Sequence, residues 1–297
     1  MITQQEVPMN TDFLTLLQEK ESTFSKSQKR ICQYIREFYD KAAFMTANRL
    51  GKTVGVSEST VVRFAVDLGF DGYPEMQKAM QKMVLNRLTS VQRLEVASDR
   101  IGDQDILSMV IQSDIDKLRR TGDMVNRDEF QACVNAVLGA KRVYILGVRS
   151  AAPLANFLGY YLNYMFNNVH IVTASGTSEM FEKIVGMKND DVVIAFSFPR
   201  YSSATVKAAK YCRSTGAEVI AITDSYESPL VGCANYVLCA KSDMISLVDS
   251  LVAPLSVVNA LIVAIAAKRE KELHRTFEEL EHIWEEYHVY EKRDGKA

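Results

Sequence analysis

Only one tryptophan and six prolines occur in 297 residues, and neither type clusters, which excludes a proline-rich linker or a collagen-like repeat. Five cysteines, Cys32, Cys133, Cys212, Cys233 and Cys239, are odd in number and scattered. None stands in a C-x-x-C pair, which argues against a zinc site or a disulfide framework and for reduced thiols in a cytoplasmic protein. Neither charge is in excess: 35 Lys and Arg face 37 Asp and Glu, for a net charge of −2. The chain as a whole has no pull toward nucleic acid, although an average can conceal a basic module. Long hydrophobic runs are missing too. The longest, 251–267, is broken by Pro254, Ser256 and Asn259 and falls short of the roughly 20 apolar residues of a membrane span. The first ten residues lack the basic start and apolar stretch of a secretory signal.

What is present is a composition with 47% hydrophobic residues, ample for a packed core, and a length that suits about two domains. Their textures differ. Up to about Leu88 the pattern is one of short helices. Ser27 is placed to cap a helix whose Ile31, Tyr34, Ile35 and Phe38 recur at spacings of three and four; Thr46 caps a second, and Ser57 or Ser59 a third. Residues 89–140 read as helical and polar, with Ile106, Met109, Val110, Ile115 and Leu118 on one face and Asn126 or Asp128 opening a further helix. From Lys141, β-rich runs at 142–147, 169–173, 192–197, 218–223 and 236–239 alternate with helical stretches. That alternation predicts a five-stranded parallel sheet covered on both faces, a three-layer αβα fold of flavodoxin-like type. Two helices, 246–269 and 271–290, close the chain. The expected organisation is an all-α domain over 1–88, a helical linker over 89–125, and an α/β domain over 126–297.

Residues 47–66 read ANRLGKTVGVSESTVVRFAV. With Gly55 at a tight turn that wants φ > 0, Leu50, Gly51, Val54, Val56, Val61 and Phe64 fall on the core positions of a helix-turn-helix. The exposed side of its second helix then presents Ser57, Glu58, Ser59, Thr60 and Arg63, with Lys52 nearby. Hydroxyls and a guanidinium there can meet phosphates and base edges in a major groove. An ordinary αα-corner also wants Gly at its turn and is the plain alternative. Gly51-Lys52-Thr53 imitates the tail of a P-loop, but Thr46 stands where that motif needs glycine, and no strand precedes it.

Two loops of the α/β half gather polar groups. Strand one ends in Gly147-Val148-Arg149-Ser150, and strand three in Ser197-Phe198-Pro199-Arg200-Tyr201-Ser202. In a doubly wound sheet of order 2-1-3-4-5 these loops flank the topological switch point and line one crevice. Ser202 can cap the following helix and leave backbone N–H groups aimed at an anion. The lone Gly147, with Arg149 in place of a second glycine, speaks against a dinucleotide. Asp249, at the start of the long apolar helix, is the one acidic residue placed toward the crevice; its plain alternative is a first-turn carboxylate. An isomerase would need an acid or base there. Yet His170, His274, His282 and His288 lie at no strand C-terminus, and the helical three are not one turn apart, so neither catalysis nor a metal is expected.

Ser57-Glu58-Ser59-Thr60-Val61-Val62-Arg63-Phe64 with Leu68-Gly69-Phe70, and Ile222-Thr223-Asp224-Ser225 with Ser228-Pro229-Leu230, resemble the RpiR family of bacterial transcriptional regulators. The resemblance spans about Phe13 to Lys292. It implies an N-terminal helix-turn-helix joined to a sugar-isomerase (SIS) domain, double-stranded DNA as partner, and no cofactor. The family's phosphate loop after strand three reads Ser-x-Ser-Gly-x-Ser/Thr. Here Ser197 and Ser202 match its ends, while Pro199 and Arg200 replace the second serine and the glycine. After strand one the pattern is Gly-x-Gly-x-Ser; Arg149 and Ala151 replace its second glycine and serine, and Ser150 substitutes from one position away. The expected ligand is a phosphosugar or another small anionic metabolite, held by Gly147, Arg149, Ser150, Ser197, Arg200, Tyr201, Ser202 and Asp249. The linker would couple ligand to DNA by changing the separation of two recognition helices in a homodimer or homotetramer. The final helix, with Leu273, Phe277, Leu280, Trp284 and Tyr287 on one side, packs on the sheet or forms that interface. The alternative function is a sugar-phosphate isomerase or a carbohydrate-binding module that does not bind DNA.

Overall fold

The computed structural model describes residues 13–85, 89, 91–94, 105–173, 176–244 and 248–291. The chain divides into two compact units at Ile106/Leu107. That division falls inside the segment read as a linker, parts of which lie outside the described residues.

The first unit is helical: α1 (Phe13–Lys20), α2 (Lys26–Glu37), α3 (Tyr39–Ala42), α4 (Ala47–Val54), α5 (Glu58–Leu68) and α6 (Tyr73–Leu85). Its core is Leu17, Ile31, Ile35, Leu50, Val61, Phe64, Leu68, Met76 and Met80, all fully buried. The first cap differs from expectation. Ser25, not Ser27, caps α2, because Gln28 stands three residues after Ser25 and its side chain returns to the Ser25 N–H, completing a capping box. Arg30, three after Ser27, offers no acceptor for that return bond.

The second unit opens with α7 (Ile106–Met124) and α8 (Arg127–Gly139), the latter capped by Asn126. Then follow β1 (Val143–Gly147), α9 (Ala152–Leu162), β2 (Val169–Val172), α10 (Thr177–Ile184), β3 (Val192–Phe196), α11 (Ser203–Ser214), β4 (Glu218–Thr223), β5 (Tyr236–Cys239), α12 (Val252–Lys268) and α13 (Glu270–Glu286). The strands pair in parallel in the order β2-β1-β3-β4-β5. Period-2 alternation sends Ile145, Ile194, Phe196, Ile220 and Ile222 to one face, against Leu158, Leu162, Val258 and Leu261. Tyr144, Leu146, Val193, Ala195 and Ala221 go to the other, against Met180, Ile184, Ala208 and Cys212. Glu129 on α8 accepts the N–H of Val237, which blunts the edge strand β5. All five cysteines are free and buried; burial pushes the thiols of Cys133, Cys212 and Cys239 up to about 12, which leaves them unreactive.

Two helices depart from expectation. The long apolar helix begins at Val252 rather than residue 246, so Asp249 precedes it and is not a first-turn carboxylate. Ser250 accepts the Val252 N–H and itself donates to Asp114, which fixes the start. The apolar face read on α7 is only partly its inner face: Met109, Val110 and Ile115 are half-buried, Ile106 and Leu118 are exposed, and the fully buried residues are Lys117 and Thr121. Polar bonds hold α7 to the second unit: Lys241 donates its N–H to Thr121 Oγ1, Arg120 pairs with Asp243, and Asp114 accepts from Ser250.

Candidate functional site

In the first unit, Thr46 caps α4, and Gly55 ends it with φ 71°, the left-handed turn that sequence spacing required. The Val56 N–H closes onto Gly51 O at 2.8 Å, and a Cβ at Gly51 would sit 2.8 Å from Val56 O. Only glycine lets α4 and α5 approach this closely. Arg30 Nη2 donates to Gly55 O and pins the turn from α2. Ser57 caps α5 through the Thr60 N–H, and its hydroxyl lies within 2.9 Å of those of Ser59 and Thr60. Glu58 accepts from Asn48 on α4, and Asp67 accepts from Gln28, so both carboxylates that oppose a phosphate backbone are tied to neighbours. Lys52 and Arg63 are exposed. Val62 and Val66, 39% and 51% exposed, share the outer side of α5 with Ser59 and Arg63. Sequence reading passed over these valines; lying outside the set Val61, Phe64 and Leu68, they carry their own signal as apolar residues off the core stripe.

In the second unit, β1 and β3 are neighbours, so the loops after them line one edge of the sheet, as the expected strand order requires. Arg149 and Arg200 have φ of 56° and 62°, and of the three non-glycine residues at positive φ among the described residues these two occupy the two loops. Both stand where the RpiR pattern carries glycine. The backbone keeps the glycine conformation although the residue has become arginine, at a cost of about 1–2 kcal/mol each. Both side chains are exposed, as is Ser150. A Cβ at Gly147 would come within 2.9 Å of Ala151 O and Ala155 Cβ, so this glycine seats α9 against the strand end.

The β3–α11 loop is held from inside. The Ser202 N–H donates to Ser197 Oγ, Ser202 Oγ caps the Thr205 N–H, and Thr223 Oγ1 donates to Ser197 O at 2.6 Å. The serines therefore shape the loop first, while each hydroxyl keeps its proton to donate. The N–H groups of Ser203 and Ala204 open the 12-residue α11 and have no partner among the described residues, as an anion site at a helix N-terminus requires. Tyr201 turns its hydroxyl to Asp224 Oδ1, 2.8 Å away at the end of β4. Burial and the Asp224 charge push the phenol up, so it remains a donor. Asp249 is half-buried.

Asp224 is a residue that sequence reading did not place in the site. Burial raises its carboxyl above the usual 3.8, and the Tyr201 and backbone hydrogen bonds and the Lys241 charge offset this only in part. The folded state thus holds this proton more tightly than the unfolded chain, and stability falls as pH rises through the carboxylate range. Asp224→Asn is expected to melt higher than the parent at pH 7, with the difference shrinking toward pH 3. Thermal melts at the two pH values check this, and a lower melting temperature at pH 7 would contradict it.

A family profile for the helix-turn-helix domain of the rpiR family matches residues 11–86, and one for the SIS domain matches 137–264. A Clostridium perfringens protein described as an HTH-type transcriptional regulator is 27% identical over 208 residues, which are 69% of this chain and 73% of that protein. The solved sugar isomerase domain of the RpiR transcription factor from Sphaerobacter thermophilus is 27% identical, covers 60% of this chain and 99% of its own, and superposes with a TM-score of 0.58. The Vibrio vulnificus NanR protein, solved in complex with ManNAc-6P, shares the fold at 21% identity over 92% of this chain and 97% of its own, with a TM-score of 0.56.

Proposed function

The chain belongs to the RpiR family of helix-turn-helix transcriptional regulators with an SIS domain, and we propose on that premise that it senses a small anion through Arg149 and Arg200. The observation that carries this reading is their shared backbone. Two arginines hold a strained left-handed conformation at the ends of adjacent strands, and strain of this kind concentrates where ligands are clamped. Ser150, Ser197, Ser202, the free amides of α11 and Gly147's close turn complete a cradle for a phosphate or carboxylate. A phosphosugar is the leading class, since a protein of the same fold is bound to ManNAc-6P. The site acts in binding rather than catalysis. A thermal-shift screen of sugar phosphates and organic acids on the full chain tests it: a ligand at a hundred times its Kd stabilises by about 2.7 kcal/mol.

On the DNA side, Lys52, Ser57, Ser59, Thr60 and Arg63 meet the duplex with α5 in the major groove, and Val62 and Val66 suit thymine methyl groups. Glu58, bonded to Asn48, positions α5. Arg63→Ala is expected to weaken binding to a duplex selected in vitro by the parent by about tenfold or more, the 1–3 kcal/mol of a base contact. Fluorescence anisotropy at matched salt reads it, and equal affinities would remove Arg63 from the interface.

The active form proposed is a cytoplasmic homodimer or homotetramer. In α13 no residue is buried; Leu273 packs partly against the sheet core, while Phe277 and, just past the helix end, Tyr287 are exposed. A 17-residue amphipathic helix left this open is what a second copy would cover.

A further inference from the structure

Two hydrogen-bonded routes leave the Ser197–Tyr201 loop and meet at one point on α7. Along the first, Ser197 O accepts from Thr223 Oγ1, and Thr223 O accepts from the Ala240 N–H. Along the second, the Tyr201 hydroxyl donates to Asp224 Oδ1, and Asp224 O accepts from Lys241 Nζ. The routes converge on residues 240 and 241, where the Lys241 N–H donates to Thr121 Oγ1 at 2.9 Å. Ser197, Thr223 and Thr121 are buried, which shields the first route and the Thr121 bond from water, and Tyr201, Asp224 and Lys241 are half-buried.

The far end of the chain of bonds is an unusual helix. The fully buried residues of α7 are Lys117 and Thr121; Ile106, Leu107, Ile111 and Leu118 face outward, Met109, Val110 and Ile115 are half-buried, and Met124 packs on the sheet core. Asp114, Lys117 and Thr121 recur at three and four residues, so one polar stripe carries the bonds to Lys241 and Ser250. Asp114 takes Ser250, Thr121 takes Lys241, and between them Lys117 Nζ donates to Ser113 and Asp114. Apolar contacts are non-directional and yield gradually, whereas hydrogen bonds hold discrete positions and let go. A helix whose buried groups are polar and bonded in this way therefore has distinct attached and released states along that stripe. By connectivity α7 is also the first element of the second unit, and the chain reaches the helix-turn-helix half through its N-terminal end.

We infer that the Tyr201–Asp224–Lys241–Thr121 bonds form a relay by which the anion loop after β3 sets the docking of α7. The inference rests on the reading of that loop as the anion site. A ligand that moves the Arg200–Tyr201 backbone shifts the phenol, the phenol shifts Asp224 and Lys241, and the main chain of Lys241 grips or frees Thr121.

Hydrogen exchange on the full chain, read peptide by peptide, tests this without knowing the ligand. Tyr201→Phe cuts the relay at the loop, and Thr121→Val cuts it at the helix. Because coupling is reciprocal, Tyr201→Phe should speed exchange in the second half of α7, and Thr121→Val should speed it at 198–203. The expected change is about three- to tenfold, the loss of one hydrogen bond from local opening. Thr121→Ser, which keeps the acceptor, should restore the parent rates. Helix α10, outside the relay, should be unchanged in every variant. If each variant alters only its own segment, or if α10 speeds up equally, the relay is wrong. Inorganic phosphate, added separately, addresses the underlying site: it should slow exchange at 198–203 in the parent and in Thr121→Val, but slow α7 only in the parent. Failure of phosphate to protect the loop in any protein would count against the anion site, while the two ligand-free variants would still decide the relay.

Discussion

Exchanging Arg149 and Arg200 for glycine is expected to raise the melting temperature while lowering affinity for the anionic ligand by about ten- to a hundredfold per site. The two effects have opposite signs because they arise in different parts of the same residue. The backbone at φ 56° and 62° favours glycine, so each substitution removes about 1–2 kcal/mol of strain. The added freedom of the unfolded chain takes back about 0.4–1 kcal/mol. The net gain of about 1 kcal/mol corresponds to a few degrees in a domain of this size. The guanidinium, in contrast, supplies charge-assisted hydrogen bonds worth about 1.5–3 kcal/mol to the bound state only. Lysine at either position restores charge but not the forked geometry and should recover part of the affinity. If the arginines instead served to hold the loops to a neighbouring carboxylate, the glycine variants would melt lower and bind the ligand as tightly as the parent. A melting curve and a titration on the same preparations separate these outcomes.

Gly51→Val should abolish DNA binding and leave the sheet domain folded. A Cβ there would already sit 2.8 Å from the carbonyl of Val56, and the obstacle is backbone, which cannot swing aside. Valine adds two methyl groups beyond it. Overpacking of a tight helix crossing costs about 3 kcal/mol, a large share of the 5–15 kcal/mol that holds a whole domain together. The gain in helix propensity over glycine, under about 1 kcal/mol, does not offset it. The expected signature is a melt with an early helical transition and a later one at the parent's position, together with no retention on duplex at low salt. A single unshifted transition with DNA binding intact would show that α4 and α5 can part without cost.

How much of this was legible beforehand depended on whether the signal was local. The strands were readable to within about a residue because each is a short buried run of β-branched and aliphatic residues between turn residues. The turn at Gly55 and the caps at Thr46 and Ser202 were readable for the same reason, and the caps at Ser57 and Asn126 were narrowed to two residues each. The cap of α2 was misplaced by two residues because two serines compete there, and the deciding partner, Gln28, was not weighed. The orientation of α7 was only partly legible: Met109, Val110 and Ile115 do lie half-buried, but the helix turns Lys117 and Thr121 furthest inward, and its polar partners Lys241 and Ser250 lie more than a hundred residues away. Asp224 went unnoticed as a partner of Tyr201 because 23 residues separate them. The strand order, however, already set the ends of β3 and β4 side by side, and reading it further would have found the pair. The strain at Arg149 and Arg200 was invisible as an angle but present as two arginines in places patterned for glycine.

The openness of α13 also makes the protein its own optical reporter. The single indole, Trp284, sits half-buried on that helix with the Tyr290 ring 5.3 Å away, and Tyr160, Tyr161 and Tyr164 cluster beside Phe277 one face over. Intrinsic emission excited at the red edge therefore comes from one helix and nothing else. If the proposed assembly covers this helix, dilution that separates the copies shifts that emission toward the red and lowers its anisotropy; an emission unchanged on dilution would count against an interface there.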